Sequence, residues 1–176
     1  MQKGVLRKRR PSPLSEYGKQ LKEKQILKGE YRLRDRQFKA YVKAALLKGG
    51  SPAGGVAERL LQLLEMRLDS IVFRSGLAET RAQSRQLVNH GHFLVNGSKV
   101  NIPSLRVKIG DTITLRNSSA SKILFKNMQL RLKKYQPPSW IELDKEKMEA
   151  KVISLPVFEE INPLVDLPLI FEFYSR

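Results

Sequence analysis

The stretch from Leu60 to Val100 limits what this chain can fold into more tightly than any other part of it. Leu60, Leu64, Leu68 and Ile71 recur at helical spacing, which predicts one helix burying a single apolar stripe, and Gly76 stops it. Thr80, with Gln83 three residues on, forms a capping box that starts a second helix. In that helix Arg81, Arg85 and Asn89 stand four apart on one exposed stripe, beside the apolar stripe of Leu87 and Val88. His90 ends it, and Gly91 supplies the left-handed residue that turns the chain away. Asn96-Gly97, set between Val95 and Ser98, predicts a two-residue hairpin turn. Two helices followed by a β-hairpin present a cationic helix start beside a small sheet. A phosphate fits such a place, held by arginine forks, backbone N–H groups and the positive end of the helix dipole.

Charge points the same way. The chain of 176 residues carries 33 lysines and arginines against 17 acids, a formal +16. An excess of that size indicates a nucleic acid or an anionic surface as partner. It is uneven: residues 1–50 hold 15 basic and four acidic residues, residues 151–176 two and four. The N-terminal part is therefore the stronger electrostatic anchor, and the acidic end is expected to pack on protein. Without cysteine there are no disulfides, thiolate zinc sites or cysteine nucleophiles, which suits a reducing compartment. No apolar run approaches the roughly 20 residues that span a bilayer, and the basic start MQKGVLRKRRPSP has no apolar core of a secretory signal.

Residues 1–13 are basic, contain two prolines and show no period, which predicts a tail that orders only on a partner. Ser15 caps a helix to about Lys28, with Tyr17, Leu21 and Leu27 inward and Lys19, Lys22 and Lys24 at the edges. A second helix from about Arg34 buries Phe38, Tyr41, Val42, Ala45 and Leu46 and ends in the linker GGSPAGG, residues 49–55. The linker is the natural boundary, although the helix after it could also pack back on the first two. The expected division is a basic tail (1–13), a helical domain (14–57) against which 158–176 packs back, and a module with a β-sheet (58–157). Leu105, Val107 and Ile109, then Ile113 and Leu115, alternate as half-buried strands around Gly110-Asp111. A basic helix is expected from Ser118 to about Lys134, broken by Pro137-Pro138. Trp140 to Leu143 reads as a strand paired with Val152 to Leu155, and Leu169 to Tyr174 as a short last strand. The fold class is α+β, a helical domain plus a helix-turn-helix packed on a small, mainly antiparallel sheet.

The motifs carry a resemblance. Arg67-Leu-Asp69, Thr80-Arg-Ala-Gln-Ser-Arg-Gln-Leu-Val88 and Phe93-Leu-Val-Asn-Gly97 resemble the RNA-binding module named after bacterial small-subunit ribosomal protein four. Tyr17 to Gln25, Arg36-Gln-Phe38, Asn101-Ile-Pro-Ser104, Trp140 with Lys147-Met-Glu149, and Glu172 to Arg176 resemble that family in the same order. The likeness implies a structural protein of the small subunit that binds its RNA early in assembly at a junction in the 5′ domain. It also implies neighbours in small-subunit proteins three and five, near the messenger entry path, and an influence on decoding accuracy. The location implied is the cytoplasmic ribosome, with an organellar ribosome sharing the same motifs.

Spacing alone gives a basic face on the second module helix, which on an arbitrary helix is usually solvated surface; the resemblance supplies the RNA. Arg67 and Arg74 converge on the capped start at Thr80 and on the stripe of Arg81, Arg85 and Asn89. Arg81 and Arg85 lie outside the apolar stripe, so removing both should weaken RNA binding with little effect on folding. The RNA-binding set expected adds Arg7, Lys8, Arg9 and Arg10 of the tail, Tyr17, Gln20, Lys22, Lys24 and Arg36 of the helical domain, and His90 and Lys99. Aromatic residues at helical spacing usually form core; Phe38 is read so, and Tyr17 is left open between core and base stacking. Asp69 orients Arg67 or stands as an ordinary exposed acid.

Catalysis is not expected. His90 and His92, the two histidines, lack the further ligands of a metal site, and no Walker loop, G-x-G-x-x-G or Ser-His-Asp order is present. No metal, cofactor, membrane or small-molecule substrate is therefore expected. A pseudouridine synthase carries this module, but its catalytic domain needs more chain than follows the strands here. A free-standing binder of stalled or stressed ribosomes would explain the module and not the motifs at Tyr17 to Gln25 and Glu172 to Arg176. The chain departs from the family pattern in lacking a longer N-terminal segment with its zinc-binding cysteines, a short form whose missing contacts the tail could replace. Ser84 stands where alanine is usual, and Gln83 where an acid is usual.

Overall fold

Arg67 interrupts what the apolar spacing reads as one continuous helix. In the computed structural model, which describes residues 13–47, 55–120 and 128–175, α3 (Val56–Glu65) ends at Met66, Arg67 is extended (ψ 146°), and α4 (Leu68–Arg74) starts anew. The break has a long-range cause. The N–H groups of Leu68 and Asp69 donate to the carbonyls of Leu105 and Pro103, and Val107 N–H donates to Met66 O at 2.8 Å. These bonds satisfy orphan donors at the start of α4 that a continuous helix would not have. They also explain why 105–109 is not a strand of the sheet: the segment pairs with the helix junction, Val107 faces inward, and Ile109 is left 54% exposed.

The break sorts the four expected stripe residues into two cores. Leu60 and Leu64 join a helical core with Leu27, Tyr31, Leu33, Phe38, Val42 and Ala45, whereas Leu68 and Ile71 join the core of the module. α3 therefore packs with the helical lobe, and the line between the two cores runs through Glu65–Arg67 rather than at the expected 57/58.

In the helical lobe, Ser15 caps α1 (Glu16–Glu30) by accepting from Gly18 N–H. Of the inward face expected for α1, Leu27 is buried and Leu21 half-buried, but Tyr17 is not inside. Gln20, Lys24, Leu27 and Tyr31 are buried, and Tyr17 is 52% exposed. The polar members of that face have partners: Gln20 donates to the Glu172 carboxylate at 3.0 Å, and Lys24 pairs with Asp35 at 3.1 Å. α2 (Asp35–Leu47) packs on α3 and buries Phe38, Val42 and Ala45. Leu46, expected inside, is 44% exposed. The expected last strand is a helix, α9 (Leu167–Ser175), lying along α1. Its apolar residues fit alternation over a short run, but Leu167, Ile170, Phe171 and Tyr174 also fit the helical period, and packing on α1 selects that period.

The module is a five-stranded antiparallel sheet in the order β2-β1-β3-β5-β4, backed by α4 and α5 (Arg81–Asn89). β1 (Phe93–Val95) and β2 (Ser98–Val100) close across Asn96 and Gly97, both at positive φ (49° and 79°), as the two-residue turn requires. The Asn96 side chain also pins β3 (Thr112–Leu115), accepting from Thr112 N–H and donating to Asp111. β4 (Ile141–Asp144) pairs with β5 (Glu149–Val152), so both strands start and end away from the expected 140–143 and 152–155. Within the expected helix 118–134 the described residues form α6 (Asn117–Ala120) and α7 (Met128–Lys134). α8 (Phe158–Ile161) follows β5 and packs on α3.

α7 docks on the turn after α4. Arg131 donates to Gly76 O at 2.7 Å and pairs with Glu79, and Tyr135 donates to Arg74 O at 2.9 Å. Gly76 has φ +76°, and a Cβ there would meet the Tyr135 ring at 2.7 Å; at Gly97 (φ +79°) a Cβ would meet nothing within 4 Å. Gly97→Ala should therefore cost only the left-handed strain, about 1–2 kcal/mol. Gly76→Ala should add a packing penalty of roughly 1–3 kcal/mol. Urea unfolding of the two variants checks the difference; equal losses would contradict the Tyr135 contact.

Candidate nucleic-acid interface

The arginines that sequence spacing gathers around Thr80 converge, but on a buried carboxylate. Glu65, the last residue of α3, is fully buried. Its Oε1 accepts from Tyr31 Oη at 2.7 Å, from Arg74 at 2.8 Å and from Arg81 at 2.8 Å, while Oε2 accepts from Arg74 Nε at 3.1 Å. Burial alone would raise the Glu65 pKa. The charge of Arg81 and the hydrogen bond and charge of Arg74 outweigh it, and the carboxyl is held below the ordinary glutamate value of 4.5. Tyr31 moves the other way: burial first, then the Glu65 charge, pushes its hydroxyl well above 10.0. Arg81 also lies over the Tyr31 and Phe73 rings, 4.2 and 4.8 Å from their centres, and donates to Ser70.

A second buried pair sits beside the first. Arg67 is 2% exposed and makes a bidentate contact with Asp69, at 2.9 and 2.6 Å, while a third bond reaches Tyr41 Oη at 2.7 Å. Asp69 does orient Arg67, and Asp69 is buried rather than exposed. Ser84, on the core side of α5, donates to the Asp69 carbonyl.

These contacts give part of the expected RNA-binding set a role inside the protein. Arg67, Arg74 and Arg81 hold the two lobes together, and their guanidinium groups already have carboxylate partners. Removing Arg81 should therefore loosen the lobe junction, contrary to the expectation from its place outside the apolar stripe. Gln20 and Lys24 face α9 and α2 inside the helical lobe. The stripe Arg81, Arg85, Asn89 runs from interior to surface: Arg81 is tucked in, Arg85 is partly open with its Nη1 3.6 Å from Asp69 and 3.5 Å from Arg32 O, and Asn89 is exposed. Thr80 caps α5 by accepting from Gln83 N–H, although Gln83 reaches back to Glu79 N–H rather than to Thr80. Lys22, Arg36, His90 and Lys99 are exposed, with the Lys99 stem lying over Gly91. His90 is the C-cap of α5, and His92 Nδ1 lies 2.8 Å from Ser119 Oγ. Tyr17 tilts against Phe173 with much of its surface open. Arg7, Lys8, Arg9 and Arg10 lie outside the described residues. Among the described residues, no three histidine, aspartate or glutamate side chains are grouped to hold a metal, and no helix is long and apolar enough to cross a membrane.

What sequence reasoning missed is the α1–α2 turn. Leu33 N–H donates to Lys28 O, Arg32 takes a left-handed φ of 52°, and Arg34 O accepts from Phe38 N–H to start α2. Tyr31 and Leu33 point inward, so Arg32 and Arg34 are forced outward. Arg36, Lys39 and Lys43 continue the exposed row along α2. Among the described residues none of these five cations, nor Lys22 or Lys99, lies within 4 Å of a carboxylate. The alternating Arg32, Arg34, Arg36 around one buried leucine was the available signal. Arg85 Nη1 lies 3.5 Å from Arg32 O, so the open part of α5 adjoins this turn across the two lobes, with Glu30 and Glu79 exposed between them.

Glu65 makes the lobe junction acid-sensitive. Its pKa is lower folded than unfolded, so its contribution is complete above the ordinary value of 4.5 and is lost as pH falls through the folded value. Glu65→Gln should cost about 3–5 kcal/mol near neutrality, since both guanidinium groups lose their charged partner. It should also flatten the fall of stability with acid. Urea unfolding at several pH values checks both; an unchanged acid slope would show that Glu65 is not the group responsible.

Residues 1–65 match the model of the ribosomal protein S4/S9 N-terminal domain, and residues 66–113 match the S4 domain. The boundary falls where Arg67 divides the two cores. The chain is similar to the small ribosomal subunit protein uS4 of Syntrophomonas wolfei, 45% identical over 168 residues (96% of this chain, 78% of that one). The uS4 proteins of Herpetosiphon aurantiacus (48%; 93% and 76%) and Persephonella marina (49%; 92% and 78%) are similarly related. Two domain models in sequence and identity of this extent over nearly the whole chain place it plainly: the chain belongs to the uS4 family of small ribosomal subunit proteins.

Proposed function

We propose that this protein is a structural constituent of the small ribosomal subunit that binds its ribosomal RNA through one basic surface, made of the α1–α2 turn, the outer face of α2 and the open part of α5. The observation that carries the reading is the row Arg32, Arg34, Arg36, Lys39 and Lys43, exposed and unpaired among the described residues, beside Arg85 of the second lobe. Exposed cations without carboxylate partners release counterions from phosphates at no cost in broken ion pairs. A-form RNA offers phosphates and 2′-hydroxyls rather than a readable major groove, so a surface of fixed shape selects the geometry of a junction rather than a sequence. Lys22, Asn89, His90 and Lys99 extend the surface, and the basic tail with Arg7 to Arg10 adds positive charge to the chain. The exposed Tyr17 offers a ring for stacking.

The finer reading follows from the family: early binding at a 5′-domain junction of the small-subunit RNA, contacts with small-subunit proteins three and five near the messenger path, and an effect on decoding accuracy, in the ribosomes of the cytoplasm. No catalytic step belongs to it. Similarity over 92–96% of the chain in the relatives above favours this role over a free-standing module on stalled ribosomes, since it extends well beyond the module.

Replacing Arg34, Arg36 and Lys39 together by alanine should leave the melting temperature nearly unchanged, because none of them packs in a core. It should weaken binding to a 5′-domain junction fragment and lower the slope of log K against log salt by roughly 2–3, at 0.7–0.9 per phosphate contact. Filter binding across a salt series checks this. An unchanged affinity and slope would remove the α1–α2 turn from the interface.

A further inference from the structure

Two exposed acids, Glu30 and Glu79, stand between α5 and the α1–α2 turn, in the middle of the cations. Glu79 pairs with Arg131 at 2.6 Å. Glu30 accepts no hydrogen bond among the described residues, and its nearest cation, Arg81, lies 3.7 Å away and is bound to Glu65. That contact fixes where the Glu30 carboxylate lies. It reaches from the end of α1 to the first residue of α5, beside the Arg81 guanidinium that covers the Phe73 ring. Both acids line a cleft of about 390 Å³ between the lobes, together with Gly29, Arg32, Phe73 and Thr80. Gly29 is the second observation. It lies within α1, where glycine is a poor helix former, and a Cβ there would meet nothing within 4 Å. Neither a left-handed backbone nor packing inside this chain calls for glycine at this position. What the missing side chain leaves is room at the cleft for a ligand to approach the helix.

We propose, resting on the RNA reading of the basic surface, that the cleft takes one unstacked base of the bound strand and that Glu30 selects guanine. A carboxylate repels phosphate, so the sugar-phosphate strand runs over Arg32 and its neighbours and the cleft is left to a base. Unstacked bases are read by hydrogen bonds to their Watson–Crick edges against aromatic side chains, and Phe73 supplies such a wall. Among the four bases guanine alone presents two adjacent N–H donors there, N1–H and the 2-amino group. The pair matches the two oxygens of one carboxylate in a charge-assisted, bidentate contact. Adenine and cytosine bring one donor beside a ring acceptor that would face the carboxylate, and uracil brings one donor between two carbonyls.

The test uses the full chain and fluorescein-labelled single-stranded uridine nonamers with uridine, guanosine or inosine at the centre, read by fluorescence anisotropy. Central guanosine should tighten binding about fivefold or more over the all-uridine strand, the lower end of what one bidentate base contact gives. Inosine, which lacks the 2-amino group, should lose most of that gain. Glu30→Gln should make the guanosine and uridine strands equal, whereas Glu146→Gln, which removes another exposed charge on the β4–β5 turn, should keep their ratio. Gly29→Leu should fill the cleft, keep or raise the melting temperature and lose the guanosine preference. The proposal is overturned, with the RNA reading intact, if the strands bind alike, if inosine matches guanosine as stacking alone would give, or if Glu30→Gln keeps the preference. A Gly29→Leu protein that melts normally and still prefers guanosine also overturns it. Binding of none of the strands overturns the proposal too, and overturns the RNA reading with it if the junction fragment also fails to bind.

Discussion

One buried carboxylate organises this molecule. Glu65 ends the helix that closes the first core, and it gathers Tyr31 from the end of α1, Arg74 from the end of α4 and Arg81 from the start of α5. Four elements from two lobes meet on a single side chain. Such a cluster is a poor source of net stability, because desolvating the charges offsets most of their attraction. What it supplies is a fixed arrangement, since any shift of one lobe leaves a buried charge without its partner. Arg67 with Asp69 and Tyr41 repeats the device next to it, again joining the helical lobe to the module.

The consequence for function is a division of labour among the cations. Arg67, Arg74 and Arg81 are internal struts, whereas Arg32, Arg34, Arg36, Lys39 and Lys43 face outward without carboxylate partners among the described residues. The struts fix the α1–α2 turn against α5, and Arg85 bridges the two by reaching Arg32 O. A surface assembled from two lobes can then present a single shape to a folded RNA, which is what shape recognition needs. Glu65 and Asp69 lie inside and Glu172 meets Gln20 beneath α1, whereas Glu30, Asp35 and Glu79 stay exposed among the outward cations.

Features fixed by local backbone demands were legible in the sequence. Asn96 and Gly97 adopt the positive φ values their turn needs, Thr80 caps α5, and Ser15 caps α1. Features decided by distant partners were not. Nothing near Arg67 announces a helix break, because the donors released there are satisfied by Pro103 and Leu105. The helical nature of 167–175 follows from packing on α1, where alternation and the helical period fitted equally well. The burial of Gln20, Lys24 and Arg81 depends on carboxylates supplied by other elements, so each looked like surface. The basic stripe on α5 was visible as a stripe, yet which end of it is interior depends on Glu65. The α1–α2 turn went unread because its cations alternate with the inward-facing Tyr31 and Leu33 in no regular element.

The central claim is that the two lobes are locked in one orientation before any RNA arrives. The absence of cysteine allows spin labels to be attached cleanly at Ala44→Cys on α2 and Gln86→Cys on α5, both exposed and neither in the Glu65 cluster. Double electron–electron resonance between these positions measures the lobe geometry directly. The account predicts one narrow distance distribution, unchanged when a junction RNA is added and broadened by Glu65→Ala. A broad or multiple distribution in the free protein that sharpens only on RNA would contradict it.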